Sequence, residues 1–479
     1  MAHVAIVGLG PAGIIAARVL ADAGVKVTAF QPGPAAGGSG DRSRLASPAP
    51  TLRTHPGEVA VPQPHPPAGR DGLGGAKLLA APQAYRMDPW ALRPRTLAQQ
   101  HGRTLPTGTH PVDWPIDLDD LAPWYDRVER LTGVAPRPAT AWTERMRGAA
   151  DELGWHPFSA PAAETRDLSM LLAREGIDIV AATVTALRRD GRGAVSGVEY
   201  LTDGAAGAAL AALDCDAVVL AASVIPTVRL LLLSDLPANG QVGRWFLSHN
   251  TFVVHGDFGD ADLGRRHAGP ASAVATSAFE GAAFAGGDDV VGGSVLQAAM
   301  TGPWDERRMS ATARGRDAAA IAGADPLAWV KAHHRSIGSV WAQPDQLPHV
   351  ENRVDLDPVH TDAAGIPVAR VTFALHDDDH RRFGFLAARA GHWLEAAGAR
   401  HTWTDGMHPQ PLGTHLYGGA RMGEDPGASV VDPFGRFHGT PGLVVVGSST
   451  FPSTGGRGPV ETVEALAWRS AAQLVDDLR

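Results

Sequence analysis

Close to its start the chain reads Gly8-Leu9-Gly10-Pro11-Ala12-Gly13, set between a short apolar run, Val4 to Gly8, and a helical pattern that continues through Ala23. Gly24 ends that pattern, and Val25 to Phe30 reads as a second strand. A strand, a GxGxxG turn, a helix and a strand in this order leave few folds open. Gly8 permits the tight turn, Gly10 lets backbone approach a pyrophosphate, and Gly13 lets helix and strand pack closely. The helix N-terminus, opened by Pro11 and Ala12, then faces the anion. Alone the motif is weak; inside a βαβ unit it marks a Rossmann-like dinucleotide site. The second strand ends on Gln31, where an Asp or Glu usually holds the adenosine ribose. Its amide can accept a ribose hydroxyl without charge assistance. No Arg stands beside it to take a 2′-phosphate, which disfavours NADP.

A chain of 479 residues exceeds what one core usually serves, so two joined domains are expected. Its 44% hydrophobic and 19% charged residues are those of a globular protein. A net charge of −9 argues against a nucleic-acid partner. Cys215 is the single cysteine, which rules out an intramolecular disulfide and fits a reducing compartment. No basic n-region or cleavage site precedes the first strand, and the longest aliphatic run is Leu230 to Leu233, far below the roughly 20 residues of a membrane span. The expectation is a cytoplasmic protein with a small-molecule substrate and no membrane or nucleic-acid partner.

Residues 32–72 are rich in Pro, Gly and Ser and read as a long irregular excursion. Asp113 to Ile116 followed by Leu118 to Thr132 reads as an extended segment entering an amphipathic helix. Ile177 to Leu187 and Gly197 to Tyr200 read as strands of a small sheet, and the Ala-rich stretch Ala205 to Ala212 as a surface loop. Asp216 to Ala222 and Leu443 to Val446 read as buried strands, Thr227 to Ser234 as a helix, and Pro459 to Leu478 as a C-terminal helix.

Further segments resemble the glucose-methanol-choline (GMC) oxidoreductase family, closest in look to its bacterial sugar-dehydrogenase and pyranose-oxidase-like branch. They are Leu73-Gly74-Gly75-Ala76, Asp113-Trp-Pro-Ile116, Leu121-Ala-Pro-Trp-Tyr125, Ala221 to Thr227, Asn239 to Arg244 with His249, and Glu351 to Val354. The strongest is C-terminal: His415-Leu-Tyr-Gly-Gly-Ala-Arg-Met-Gly423, then Val430 to Asp432, Arg436 to Gly439, Gly447 to Ser449, and Thr462 to Arg469. The resemblance implies an α/β protein. A discontinuous Rossmann-like FAD-binding domain would join an α+β substrate-binding domain built on a mostly antiparallel sheet. The expected division is 1–150 and 151–248 for two parts of the FAD domain, 249–402 for the substrate domain, and 403–479 for a closing segment. FAD would be held without a covalent bond, since Leu79 stands where relatives with attached flavin carry His. Gly74 and Gly75 would lie on the flavin side, and Val184 would hold adenine through its backbone. Ala222 and Ser223 would lie by the pyrophosphate or adenosine, Ser448 and Ser449 by the ribityl chain, and Gly458 and Pro459 beside the flavin. No metal is expected, and no motif names the electron acceptor, whether oxygen, quinone or protein.

The family oxidises alcohols and sugar hydroxyls by hydride transfer to flavin N5 while a histidine takes the hydroxyl proton, and His415 matches that base. Imidazole suits the task because its ordinary pKa of roughly 6.5 lies near working pH. With 20 histidines in the chain, His415 stands out only through Gly418 to Gly423 behind it. His249 and His438 are read as structural, and Tyr417 and Arg421 as packing residues. One departure matters: Gly458 occupies a position where the family places Asn or His beside the base. Two other readings therefore stay open. One is altered chemistry on the same scaffold, such as oxidative cyclisation, desaturation or elimination. The other is a catalytically degenerate flavin-binding protein.

Overall fold

A computed structural model describes residues 1–32, 48–64, 83–165, 167–204, 207–237, 239–259, 261–263, 273–281, 290–299, 306–318, 325–404 and 406–479. Its centre is a five-stranded, all-parallel sheet in the order Leu443–Val445, Ala217–Leu220, His3–Val7, Lys26–Phe30, Ile177–Val180. These strands read as continuous apolar runs because layers cover both faces of the sheet. Ile14, Ile15 and Leu20 of the first helix, Pro11–Asp22, pack with Val219, Val444 and Leu474 on one side. Leu121, Tyr125 and Val128 of helix Leu118–Thr132 belong to the core on the other. That helix starts and stops where the sequence places it. Asp117 and Asp120 form a capping box, and Gly133 closes it at φ +64°. The C-terminal helix Val460–Asp477 packs on both helices and ties the last segment of the chain to the first.

A second sheet of six strands runs Thr404–His401, Phe252–Asp257, Ile337–Ala342, Leu296–Ala299, Ala273–Thr276, Phe158–Ser159, with every pairing antiparallel. One face buries Phe252, Val254, Leu296 and Val340 against Trp142 and Met146 of helix Ala141–Glu152 and Leu386 and Trp393 of helix Asp377–Ala396. Trp341 alternates to the opposite face, where it packs with Tyr85, Ala275 and Val295. Helix Ala141–Glu152 and strand Phe158–Ser159 precede residue 249 in the chain yet belong to this layer.

Three sequence expectations give way. Part of the excursion 32–72 is structured: Thr51–Arg53 pairs in parallel with Pro367–Thr372 and antiparallel with Val61–Pro62. Runs of three and two residues are too short to show alternation. The single strand expected over Ile177 to Leu187 is two, Ile177–Val180 in the parallel sheet and Ala182–Arg189 in a three-stranded antiparallel one. The Ala-rich stretch is not a loop: Gly207–Asp214 pairs along Val195–Gly204 at the edge of that sheet. Alanine is a poor strand former, so only the partner strand reveals it. Residues 205 and 206 lie outside the described residues.

Candidate active site

Gly8 follows the first strand at φ +96°, and its N–H donates to the Phe30 carbonyl at 2.8 Å. A Cβ on Gly8 would stand 2.6 Å from Ala222 Cα, and one on Gly13 would overlap the Gly8 carbonyl oxygen. Around Gly10 the opposite holds: nothing among the described residues lies within 4 Å of an added Cβ. The loop is therefore jammed against the sheet on one side and open on the other. The first helix begins there with Pro11 in its first turn and no side-chain cap. Its free N–H groups and dipole suit an anion. Ser223, at φ +70°, opens helix Val224–Leu233 without a side-chain cap, and Pro459 does so for the C-terminal helix. The uncapped helix starts at Pro11 and Ser223 and the empty side of Gly10 fit a dinucleotide with its pyrophosphate.

Gln31 makes a bond within the protein beside its expected ligand role. It is buried, and its Oε1 accepts from Leu9 N–H at 2.7 Å, so the amide braces the glycine loop. One lone pair on that oxygen is left for a ligand. Val184 pairs with Tyr200, whose ring lies 4.8 Å from that of Phe30. Gly74, Gly75 and Leu79 lie outside the described residues.

The segment after strand Leu443–Val445 joins this cradle to His415. A Cβ on Gly447 would stand 3.9 Å from Ala12 Cβ. The carbonyls of Ser448 and Ser449 accept from Gly418 and Ala420 N–H at 3.0 and 2.9 Å. Leu416–Tyr417 pairs antiparallel with Leu247–Ser248, and His249 N–H donates to the His415 carbonyl at 3.0 Å. His249, read from sequence as structural, thereby lies against the site. Its Nε2–H donates to the Gly455 carbonyl at 2.9 Å, which leaves Nδ1 bare to accept from the Tyr417 hydroxyl at 2.9 Å. Burial, and then Asp345, push the Tyr417 hydroxyl well above its ordinary pKa, so it stays a donor.

His415 is half-buried. Gln343 Nε2 lies 2.9 Å from its Nδ1, and His249 Nδ1 lies 3.4 Å from the same atom. Among the described residues nothing bonds Nε2. Loss of water pulls its pKa down to about 3, with the like charge of His249 adding to the effect, and burial pulls His249 down to about 4. Both rings are therefore neutral at neutral pH. Gly458 sits opposite: a Cβ there would stand 3.7 Å from Gln343 Oε1 and 3.8 Å from His415 Cε1.

Gln343 had no signal in the sequence, since it follows strand Ile337–Ala342 in a stretch without a motif. Around the cluster, Trp114 donates to Ser453 Oγ at 2.7 Å and Tyr125 shares a 2.7 Å hydrogen bond with Thr462. Arg457 pairs with Glu280 at 2.7 Å, next to Asp88, whose carboxyl is raised by burial and then by Glu280. Arg421 stacks on Trp245 at 4.6 Å and donates to the Ala428 carbonyl. His438 bonds Ser429 Oγ at 2.9 Å.

Residues 3–262, more than half of the chain, match the family described as FAD dependent oxidoreductase, and residues 348–467 match the one described as GMC oxidoreductase. The chain is similar to 2-methyl-1,2-propanediol dehydrogenase of Mycolicibacterium austroafricanum, 26% identical over 98% of this chain and 94% of that one. Paromamine 6'-oxidase of Streptomyces fradiae is also 26% identical, over 99% and 91%. Among solved structures, pyridoxine 4-oxidase from Mesorbium loti shares the fold with a TM-score of 0.65 and 16% identity, over 99% of both chains. No helix among the described residues is long and apolar enough to cross a membrane.

Proposed function

The chain belongs to the FAD-dependent GMC oxidoreductases, and on that premise we propose that it oxidises the CH–OH group of an alcohol or sugar-type hydroxyl, with His415 taking the hydroxyl proton. FAD, when bound, supplies the two-electron acceptor for the carbinol carbon. Gly8, Gly10 and Gly13 set the backbone against its pyrophosphate, the uncapped helix starts at Pro11 and Ser223 offer N–H groups to it, and the start at Pro459 follows Gly458 beside His415. Residues 1–150 and 151–248, closed by 403–479, hold the nucleotide, and 249–402 with helix Ala141–Glu152 bounds the substrate.

One observation carries the proposal. Among the described residues His415 Nε2 has no protein partner, while its other face is enclosed by Gln343 and His249 and its ring is neutral. A neutral ring with a bare Nε2 accepts the hydroxyl proton there, and enclosure makes the protonated ring acidic, so the proton is handed on rather than stored. Relatives named for 2-methyl-1,2-propanediol and for paromamine support a hydroxyl on a specialised substrate.

The test is anaerobic bleaching of the flavin by 2-methyl-1,2-propanediol and by paromamine in the parent protein and in His415→Ala. The variant is expected to retain FAD and to bleach about 10²–10⁴-fold more slowly. Bleaching at the parent rate would remove His415 from the role of base. A product of unchanged mass would favour isomerisation over alcohol oxidation.

A further inference from the structure

The hydrogen bonds around His415 determine which of its nitrogens carries the proton, and they run through one residue. His249 cannot donate to His415. Its proton is committed at Nε2 to the Gly455 carbonyl, and its bare Nδ1 already accepts from Tyr417. The Gln343 side-chain nitrogen can only donate, and it lies 2.9 Å from His415 Nδ1. Nδ1 is therefore the acceptor, and the ring proton sits on Nε2, the nitrogen without a protein partner. In that form His415 offers a substrate a donor. A base needs the reverse, with Nε2 bare and Nδ1 protonated.

Turning the Gln343 amide about its last torsion achieves this. The torsion is broad and two-fold, so the swap keeps the side chain in place. It brings Oε1 onto Nδ1; Nδ1 takes a proton from solvent and donates it to that oxygen, while Nε2 releases its own proton to solvent, so the ring stays neutral. The surroundings permit the motion without letting the residue drift. Gln343 N–H is anchored to Ser294 Oγ at 3.0 Å, and Ser294 Oγ in turn faces the Gly456 carbonyl at 3.2 Å. At Gly458 no side chain intrudes, although its backbone lies outside the positive-φ set and would accept one.

We propose that Gln343 is the positioning residue of this site: the orientation of its amide selects the donor or the base form of His415, and glycine at 458 leaves the room to switch. The proposal rests on His415 being the base, and its test is chosen to fail separately from that reading.

The holoenzyme is labelled with ¹⁵N-histidine, and the His415 signals are identified by their loss in His415→Ala. At pH 8 the parent is expected to show a bare, pyridine-type Nδ1. In Gln343→Glu the carboxylate only accepts, so the proton is expected on Nδ1. The nearby negative charge is expected to raise the His415 pKa by about 1–3 pH units. Gln343→Met, which fills the space without a polar atom, is expected to lower the bleaching rate about tenfold with FAD content unchanged, the equivalent of one hydrogen bond. Adding Gly458→Asn to Gln343→Met is expected to recover part of that loss, because the new amide starts beside both groups. If Gln343→Glu leaves both the tautomer and the pKa of His415 where they are in the parent, the proposal is wrong, even where His415→Ala is inactive. If Gln343→Met loses FAD, the glutamate variant and its spectrum decide alone.

Discussion

The cradle around Gly10 is made of backbone, whereas the cluster around His415 is made of side chains, and the two respond to change in opposite ways. In the cradle, Gly8 and Gly13 sit so close to Ala222 and to each other that any added atom must displace main chain. Its residues lie in one short stretch, braced by a single amide from Gln31. The cluster instead assembles His249, Gln343, His415 with Tyr417, and Gly455 to Gly458, four segments brought together by strand pairing. On the proposed function, the cradle is needed before any flavin binds and the cluster acts on what the flavin then meets.

The largest effect expected from this contrast is at Gly13. Gly13→Val would drive a side chain into the Gly8 carbonyl, with an expected loss of more than about 3 kcal/mol and recovery of protein without flavin absorbance. A yellow, folded Gly13→Val protein would break the comparison at its first half. His415→Ala comes next, with rate lost and flavin kept, as set out above. Should that variant also lose its flavin, the cluster would be part of the cradle rather than a separate device. A milder change falls between the two regions. Gln31→Leu leaves the Leu9 N–H buried without an acceptor, at an expected cost of about 1–3 kcal/mol. It should appear as weaker FAD retention on dilution, with the bleaching rate of the loaded enzyme unchanged. A fall in that rate at full FAD occupancy would mean that the brace reaches the reaction.

The same contrast explains what was legible in the chain. The parallel sheet, its flanking helices and the glycine loop follow from local signals: apolar runs, the Asp117 cap, and the spacing of Gly8, Gly10 and Gly13. Strand Gly207–Asp214 and the pair Thr51–Arg53 and Val61–Pro62 did not, since their partners rather than their own residues make them strands. His249 was visible only as a histidine in a motif. Its place against His415 depends on the two-residue pairing of Leu247–Ser248 with Leu416–Tyr417, which has no signature of its own. Gln343 was invisible, because a glutamine after a strand carries no chemical message until the ring it faces is known.

The smallest effect separates the two ends of the C-terminal segment by pH. His249 and His415 have native pKa values below their ordinary 6.5, so between those values the unfolded chain binds more protons than the folded one. The stability they contribute is complete above about 6.5 and is lost as pH falls toward 4. Glu461, in the first turn of the C-terminal helix, runs the other way. Burial and then the Glu129 carboxylate raise its pKa, while Glu129 itself is held ionised by Arg86. The folded state thus keeps a proton on Glu461 that the unfolded chain has released, and stability falls as pH rises above the ordinary carboxylate range. Thermal unfolding between pH 5 and 9 should therefore peak near neutrality. Glu461→Gln, which keeps the shape and removes the charge, should abolish a decline that runs from about 4.5 to about 9, flattening the alkaline side by about 1–2 °C and steepening the rise on the acid side. An alkaline side as steep as the parent's would mean that this carboxyl is already ionised in the folded state.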